Sequence, residues 1–546
     1  MLQLSTHNLS SFLFILSGRQ KLQKQAYNCF FYKHNKSICR YSTLMKVEPN
    51  RVGEFPFRKT NPEERKRNFS EVQLPYSKEE AMQEANRCLL CGTPVCIDAC
   101  PVLLDVRGMN EAVAREDFKT AYKRIRETNP LLGVTGRCCP QLQGLCEDAC
   151  VLKWSSQPIG IGLIQRYVAD WERKNKQRPP TMAAVDTEKR VAVIGAGPAG
   201  IAAADLLKRY GHDVIVYEAL PTPGGTAWYG IPDYHLSKDV LLHEIEKVKE
   251  MGVEIKIKTK IGKDVPLSQL LDENDAVLIT TGSRDAQKLD VPGSDLQGVI
   301  NGYEFLESIF VNGVNSYLNN SKYDFGNNII VIGGGDTALD CARTALRLTQ
   351  GQGNVTIAYR RAEEDMPADP IMIEEAKEEG VKFRFLAQPK SFEGGGSSDK
   401  NNNYHVTAIT MDSMQLGKPD ESGRRYLNQF LKRSLKCNVP QFYWLLAEDR
   451  IPFCKSKHVL KRARIILLQL MISTRHRWKG YLLRVTLRGE TLVVKARESG
   501  REAAQRIHEY LMNLEDYHVS FYERYYKQNL YDRMLEGKVD TRLPPD

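Results

Sequence analysis

The stretch RVAVIGAGPAGIAAADLLKRYGHDVIVYE, Arg190 to Glu218, is compatible with few folds. Arg190 to Ile194 reads as a short buried strand. Gly195-x-Gly197-x-x-Gly200 follows at once and runs into an apolar-periodic helix, Ile201 to Tyr210. A second strand, Asp213 to Tyr217, ends on Glu218. Gly195 permits the tight turn that holds Ala196. Gly197 lets backbone N–H groups approach a pyrophosphate at the helix N-terminus. Gly200 lets helix and strand pack closely, and Glu218 can accept from a ribose 2′-OH. A lone glycine pattern is weak evidence. Strand, turn, helix, strand and acid in that order predict a dinucleotide site in an α/β sheet, against the plainer alternative of a Gly-rich turn.

The pattern recurs. Asn328 to Ile332 reads as a strand, and Gly333-Gly334-Gly335-Asp336-Thr337-Ala338 opens a helix that continues to Leu348. Ala338 takes the third glycine's place, which the motif allows. The next strand, Val355 to Tyr359, ends on Arg360-Arg361 and not on an acid. An arginine pair suits a 2′-phosphate and favours NADPH over NADH; the alternative is that both arginines are merely solvated. Between the two motifs, Pro223 to Pro232 forms a Gly-rich loop whose Gly225 would let backbone approach a flavin. Ala276 to Thr281 is a further strand, closed by Gly282.

Eight of the thirteen cysteines lie between Cys88 and Cys150. They read Cys88-x2-Cys91-x4-Cys96-x3-Cys100-Pro101, then Cys139-x6-Cys146-x3-Cys150. The first run is close to ferredoxin spacing, with its proline after the last cysteine. Zinc competes, because CxxC pairs also suit a tetrahedral site. Seven regularly spaced cysteines beside flavin-like sequence favour two 4Fe–4S clusters. Cys138 abuts Cys139 and reads as a spare. Residues 51–180 look helical around them, with Glu79 to Leu90 and Val106 to Arg126 periodic and a capping box at Ser77 and Glu80.

The net charge of +10 invites a nucleic-acid reading, which its distribution opposes. Residues 1–44 carry six Lys/Arg and no acid, and residues 428–487 carry thirteen and two. Those segments hold +6 and +11, so the rest of the chain is about −7. Ten histidines show no metalloprotease spacing, which leaves a His-based metal site without support. No apolar run reaches the roughly 18–20 residues that span a bilayer. Residues 1–44 are basic, Ser-containing and acid-free, like a transit peptide; alternatively Met45 is the true start. The expected location is the cytoplasm, or a mitochondrion or other organelle if residues 1–44 are a transit peptide.

Residues 56–430 resemble the small (β) subunit of glutamate synthase, a flavoprotein module also found in dihydropyrimidine dehydrogenase. The resemblance is carried by NPEERKRNFSEVQLPYSKEEAMQEANRCLLC, GRCCPQLQGLCEDAC, VAVIGAGPAGIAAADLL, GGTAWYGIPDYHLSKDV, VIGGGDTALDCARTALRL and AYRRAEEDMPA. It implies an NADPH-dependent oxidoreductase in which NADPH delivers hydride to FAD and two clusters pass single electrons to a partner. It implies Cys88, Cys91, Cys96 and Cys150 as ligands of one cluster, and Cys100, Cys139, Cys146 and Gln165 as those of the other. Where GIPDYHLSKDV has His235 the family usually has Arg, and His keeps a donor for flavin or phosphate. No amidotransferase domain or FMN barrel is present. The resemblance therefore implies an electron-input subunit serving a large glutaminase and FMN-type partner. The same module serving ferredoxin, polysulfide or a pyrimidine-reducing partner is the alternative, and a non-catalytic cluster-binding assembly protein is another. No residue is singled out as catalytic.

The expected architecture is α/β: an N-terminal all-helical domain for two 4Fe–4S clusters, then two interleaved Rossmann-like dinucleotide-binding domains. The expected borders are an extension at 1–50, the helical domain at 51–182, and the first part of the FAD domain at 183–300. The NAD(P)H domain follows at 301–427, the closing FAD helix at 488–515 and a tail at 516–546. Residues 428–487 break the resemblance: they are basic, lack glycine until Gly480 and show no strand alternation. Under permitted codon choices, Phe442 to Ile451 shifted by two bases can read LLAIGRRPN, and Gly480 to Leu487 can read VFAAGDV. Both match motifs of the family, in order and in one alternate frame. The segment is therefore read as frameshifted, with the frame restored before Arg488, and is expected to form no regular strand-rich lobe. A genuine insertion is the alternative.

Overall fold

A computed structural model describes residues 58–176, 185–282, 289–313, 328–395, 405–419, 425–438, 442–446, 481–484 and 493–512. The extension at 1–50, the tail at 516–546 and residues 447–480 of the suspected frameshift lie outside the described residues.

The first part is helical. Its main helices are α1 (Lys78–Asn86), α2 (Val106–Ala114), α3 (Phe118–Arg126), α4 (Leu132–Cys138) and α5 (Ile161–Asn175). Ser77 caps α1 as expected: its Oγ accepts from Glu80 N at 3.2 Å, and Glu80 Oε2 accepts from Ser77 N at 2.7 Å. The periodic stretch Val106 to Arg126 forms two helices. Glu116 turns left-handed at φ +62°, and Asp117 then caps α3 by accepting from Thr120 N. Helical periodicity survives such a break because both halves present their apolar faces to one core, around Met109, Val113, Ala121 and Ile125.

The larger helices beyond are α6 (Pro198–Arg209), α7 (Lys238–Glu250), α8 (Asp336–Leu348), α9 (Pro370–Glu378) and α10 (Val493–Leu511). The strands in chain order are β1 (Arg190–Ile194), β2 (Asp213–Tyr217), β3 (Glu254–Lys256), β4 (Ala276–Ile279), β5 (Val299–Asn301), β6 (Asn328–Ile332) and β7 (Asn354–Tyr359). They continue with β8 (Lys382–Phe385), β9 (Ala387–Gly395), β10 (His405–Pro419), β11 (Arg425–Asn438), β12 (Phe442–Leu446) and β13 (Tyr481–Arg484).

Two parallel sheets result, ordered β13-β4-β1-β2-β3 and β5-β12-β6-β7-β8, beside an antiparallel β9-β10-β11 meander. The register sets Arg190 against Asp213 and Asn328 against Asn354. Val191, Ala192 and Val193 are wholly buried, as a parallel strand covered on both faces requires. The chain leaves the first sheet after β4, builds the second, and returns with β13 and α10, so the two domains are interleaved. The second sheet starts at Val299, slightly before the expected border.

Parts of the suspected frameshifted segment do form strands, contrary to expectation. β12 lies between β5 and β6, and β13 pairs parallel with β4, Tyr481 opposite Ala276. Short apolar runs, FYWLL and YLLR, suffice to occupy a parallel slot that neighbouring strands already define. Among the described residues no helix is long and apolar enough to cross a membrane.

The helical part is fastened to the second sheet's helices by a buried ion cluster. Glu379 accepts from Arg65 Nε at 2.9 Å, Arg343 Nη2 at 2.7 Å and Arg347 Nη1 at 2.7 Å. Burial opposes the Glu379 charge, but the Arg343 and Arg347 guanidiniums prevail and hold its carboxyl well below the ordinary 4.5.

Candidate functional site

The clustered thiols are all free and separate into two groups. Cys88, Cys91, Cys96 and Cys150 line one cavity with Pro94, Val106 and Asn110. Cys100, Cys139, Cys146 and Gln165 line another with Asn129, Thr135 and Val494. Left-handed turns at Leu90 and Leu103 fold the first cysteine run back on itself, and Cys139 follows directly on α4. Cys138 lines neither cavity. It packs towards the first sheet's core, where burial pushes its thiol up to about 12.

Each cavity suits an anionic metal cluster. Burial pushes the Cys96 thiol up to about 12, reinforced by Cys150, Cys88 and Cys91. Burial likewise raises Cys100, Cys139 and Cys146. Such thiols shed their protons only to bound metal. Among the described residues no three His, Cys, Asp or Glu side chains converge as they would on a single ion. The thiols ring a space instead. That fits a cube whose irons each take a ligand, and fits poorly a zinc ion holding thiolates at about 2.3 Å. Gln165, 6 % exposed, donates Nε2 to Leu132 O at 2.8 Å and to Thr135 Oγ1 at 2.6 Å. Its Oε1 has no hydrogen bond among the described residues, so an acceptor remains for the cavity.

At the first glycine turn, Gly195 has φ +108°, and a β-carbon there would lie 2.6 Å from Thr280 O. One at Gly200 would lie 1.9 Å from Gly195 O. Both demand glycine, one for conformation and one for proximity. α6 starts after Gly197 without a side-chain cap, which leaves first-turn N–H groups for phosphate. The second Gly-rich loop reaches the turn directly: a β-carbon at Gly225 would stand 2.8 Å from Gly197 Cα. Glu218 is buried, its Oε2 accepting from Ala196 N at 2.8 Å and its Oε1 from Leu220 N at 2.9 Å. These bonds lock the acid beside the turn, and its other lone pairs can serve a ribose.

The second turn repeats the design. Gly333 N donates to Ala358 O at 3.2 Å, and α8 follows Gly335 without a side-chain cap. A β-carbon at Gly334 would strike the Tyr359 ring at 2.4 Å. Asp336 Oδ1 accepts from Asp369 N at 2.9 Å, so that carboxylate fastens a neighbouring loop; Thr337 lies next to it in the first turn. Arg360 and Arg361 stand half-buried at the carboxyl end of β7.

His235 Nε2 is 3.1 Å from Asp340 Oδ1 and 3.2 Å from Arg343 Nη1, both on α8, so this nitrogen is engaged between the domains. Three residues around these sites escape the sequence reading. Thr280 donates to Gly195 O at 2.9 Å, and the Thr-Thr-Gly end of β4 was its signal. Asn110 and Arg497 are buried polar residues with unpartnered side-chain atoms, and neither belongs to a motif.

Comparison with known proteins agrees with this geometry. A family profile described as dihydropyrimidine dehydrogenase domain II, 4Fe-4S cluster, matches residues 65–177, and one described as pyridine nucleotide-disulphide oxidoreductase matches residues 189–417. The glutamate synthase (NADPH) small chain of Halomonas elongata is 38% identical over 367 residues, 66% of this chain and 75% of that one. The same-named protein of Azospirillum brasilense is 31% identical over 456 residues, 82% and 92% of the two chains. The NADPH-Fe(3+) oxidoreductase subunit beta of Geobacter sulfurreducens (strain DL-1 / KN400) is 35% identical over 338 residues, 61% and 48%. With two thiol-ringed cavities and two glycine turns in one chain, the cofactors are NADPH, FAD and 4Fe–4S clusters, and the chain belongs to the glutamate synthase small-chain family of NADPH-dependent FAD and iron–sulfur oxidoreductases.

Proposed function

We propose that this chain is the electron-input subunit of a glutamate synthase, feeding a large glutaminase and FMN-type partner that makes L-glutamate from glutamine and 2-oxoglutarate. The observation that carries the reading is the match along most of the Azospirillum brasilense small chain. When bound, NADPH supplies a hydride, FAD converts the pair to single electrons, and the clusters relay them. The protein's part is to hold and orient. The first turn of α6 and Glu218 receive the FAD pyrophosphate and ribose. The first turn of α8, with Thr337, receives NADPH, and Arg360 and Arg361 pair with its 2′-phosphate. Cys88, Cys91, Cys96 and Cys150 hold one cluster; Cys100, Cys139, Cys146 and Gln165 hold the other. Affinity purification of the full chain from its native cells is the test. Co-purification of a large glutaminase subunit, with flavin absorption and iron, is expected; recovery with a different acceptor and no such subunit would overturn the reading.

A second reading has its own support in the relative named for Fe(3+) reduction: the same module serving another acceptor. NADPH-dependent ferric reduction by the purified chain, faster than electron delivery to any glutamate synthase large subunit, would favour it.

A further inference from the structure

Behind the wall of the second cavity lies a cation that neither the cysteine spacing nor the glycine motifs announce. Val494 lines that cavity, and Arg497 follows it by one turn on the same face of α10. Arg497 is wholly buried. Its Nη1 donates to Thr128 O at 2.5 Å, the carbonyl just before the cavity-lining Asn129, and Arg501 Nη1 shares that carbonyl at 2.9 Å. Nε and Nη2 of Arg497 have no partner among the described residues. No carboxylate forms an ion pair with it there. Burial and the neighbouring Arg501 charge both work against its charged form, and the groups able to offset them as anions are Cys100, Cys139 and Glu498.

A guanidinium keeps its charge, and burying one without a counter-ion is strongly unfavourable. Something anionic must offset it. The first cavity is differently lined: Asn110, neutral and fully buried, has both amide atoms unpartnered, and Arg107 there is half-buried with only its Nε unpartnered. We propose that Arg497 is the internal counter-charge of the cluster held by Cys100, Cys139, Cys146 and Gln165, its two unpartnered N–H groups serving the cluster's anionic edge and making that cluster easier to reduce. This rests on the ligand assignment given above. Reduction adds one electron, with no bond made or broken, so the cluster's negative charge grows and a fixed cation beside it stabilises the reduced form. The same helix packs on α6, whose first turn is the FAD site, so α10 bridges flavin and cluster.

The test is an anaerobic redox titration of the full chain followed by EPR, with iron analysis, on the wild type, Arg497→Gln and Arg497→Lys. The wild type should carry about eight irons and two separable cluster signals; a single four-iron signal would remove the ligand assignment itself. In Arg497→Gln one midpoint should fall by at least tenfold in the reduction equilibrium, about 59 mV for a one-electron couple, and the other should stay. Arg497→Lys should restore most of the shift. Unchanged midpoints at full iron content in Arg497→Gln would overturn the proposal. Loss of four irons in Arg497→Gln supports it if Arg497→Lys retains them, and overturns it if the lysine variant loses them equally.

Discussion

Gly500 marks the closest approach of α10 to α6, and replacing it tests how tightly the FAD turn depends on that crossing. A β-carbon at Gly500 would lie 2.0 Å from Ala199 O, 2.7 Å from its carbonyl carbon and 2.9 Å from its Cα. Carbon–oxygen contacts rest at about 3.3–3.6 Å, so Gly500→Ala must part the helices by ~1 Å or more along that line. All three obstructing atoms are backbone, so no side chain can rotate away. Ala199 lies in the first turn of α6, next to the glycine turn proposed for pyrophosphate. Alanine favours a helix over glycine by about 1 kcal/mol, whereas overpacking costs about 1–3 kcal/mol. With a rigid obstacle the upper end applies, giving a net loss of about 1–2 kcal/mol. The assay is thermal unfolding of the holoprotein together with flavin retained after gel filtration. A melting point lower by about 1–2 °C and reduced flavin content are expected. An equal or higher melting point with full flavin would refute the reasoning, because helix preference would then have outweighed the clash.

Replacing Arg360 and Arg361 together by Ala should weaken NADPH much more than NADH, each charge-assisted phosphate contact contributing about 1.5–3 kcal/mol; equal loss in steady-state KM for both would remove the 2′-phosphate role. Cys100→Ser should deplete one cluster and spare the other, read as iron per chain, and unchanged iron would contradict the assignment. Glu379→Gln should destabilise by about 3–5 kcal/mol at pH 7 because it leaves buried arginines uncompensated. Since the native Glu379 carboxyl lies below its ordinary 4.5, its contribution is complete above that pH and is lost as pH falls through the depressed value. Variant and wild type should therefore converge in acid denaturation, and a gap independent of pH would contradict this. Sequencing the transcript across residues 428–487 should recover a frame that reads LLAIGRRPN and VFAAGDV; an unshifted reading of KCNVPQFYWLLAEDR would sink the frameshift.

The limits of β1, β2 and β6 were legible because apolar runs bounded by glycine turns have one natural reading. The two cysteine groups were legible from the resemblance, and the fold brings each group to its own cavity. What stayed hidden is non-local. His235 sits in a motif that suggests a flavin contact, but its partners Asp340 and Arg343 lie some hundred residues away. Arg497 meets Thr128 O across 369 residues, and nothing nearby in sequence announces it. β12 and β13 went unread because their segment lacks alternation, yet both pair in parallel with strands of the two sheets. The β9–β11 meander went unread because its apolar and polar residues alternate too irregularly for a clear period-two signal.

The return of the chain to its first sheet has a consequence for biosynthesis. β4 is the apolar strand AVLI, and its outer edge waits for β13, about 200 residues further along. At about 5–20 residues per second of synthesis, that edge stays unpaired for ~10–40 s, long enough for a nascent chain to need protection from strand-to-strand aggregation. The helical part is synthesised much earlier, but one wall of its second cavity is Val494 of α10. The first thiol group can thus be enclosed while the chain is still growing, and the second only once α10 has left the ribosome and docked. The path of the chain thus completes the surroundings of Cys88, Cys91, Cys96 and Cys150 before those of the cavity that includes Val494.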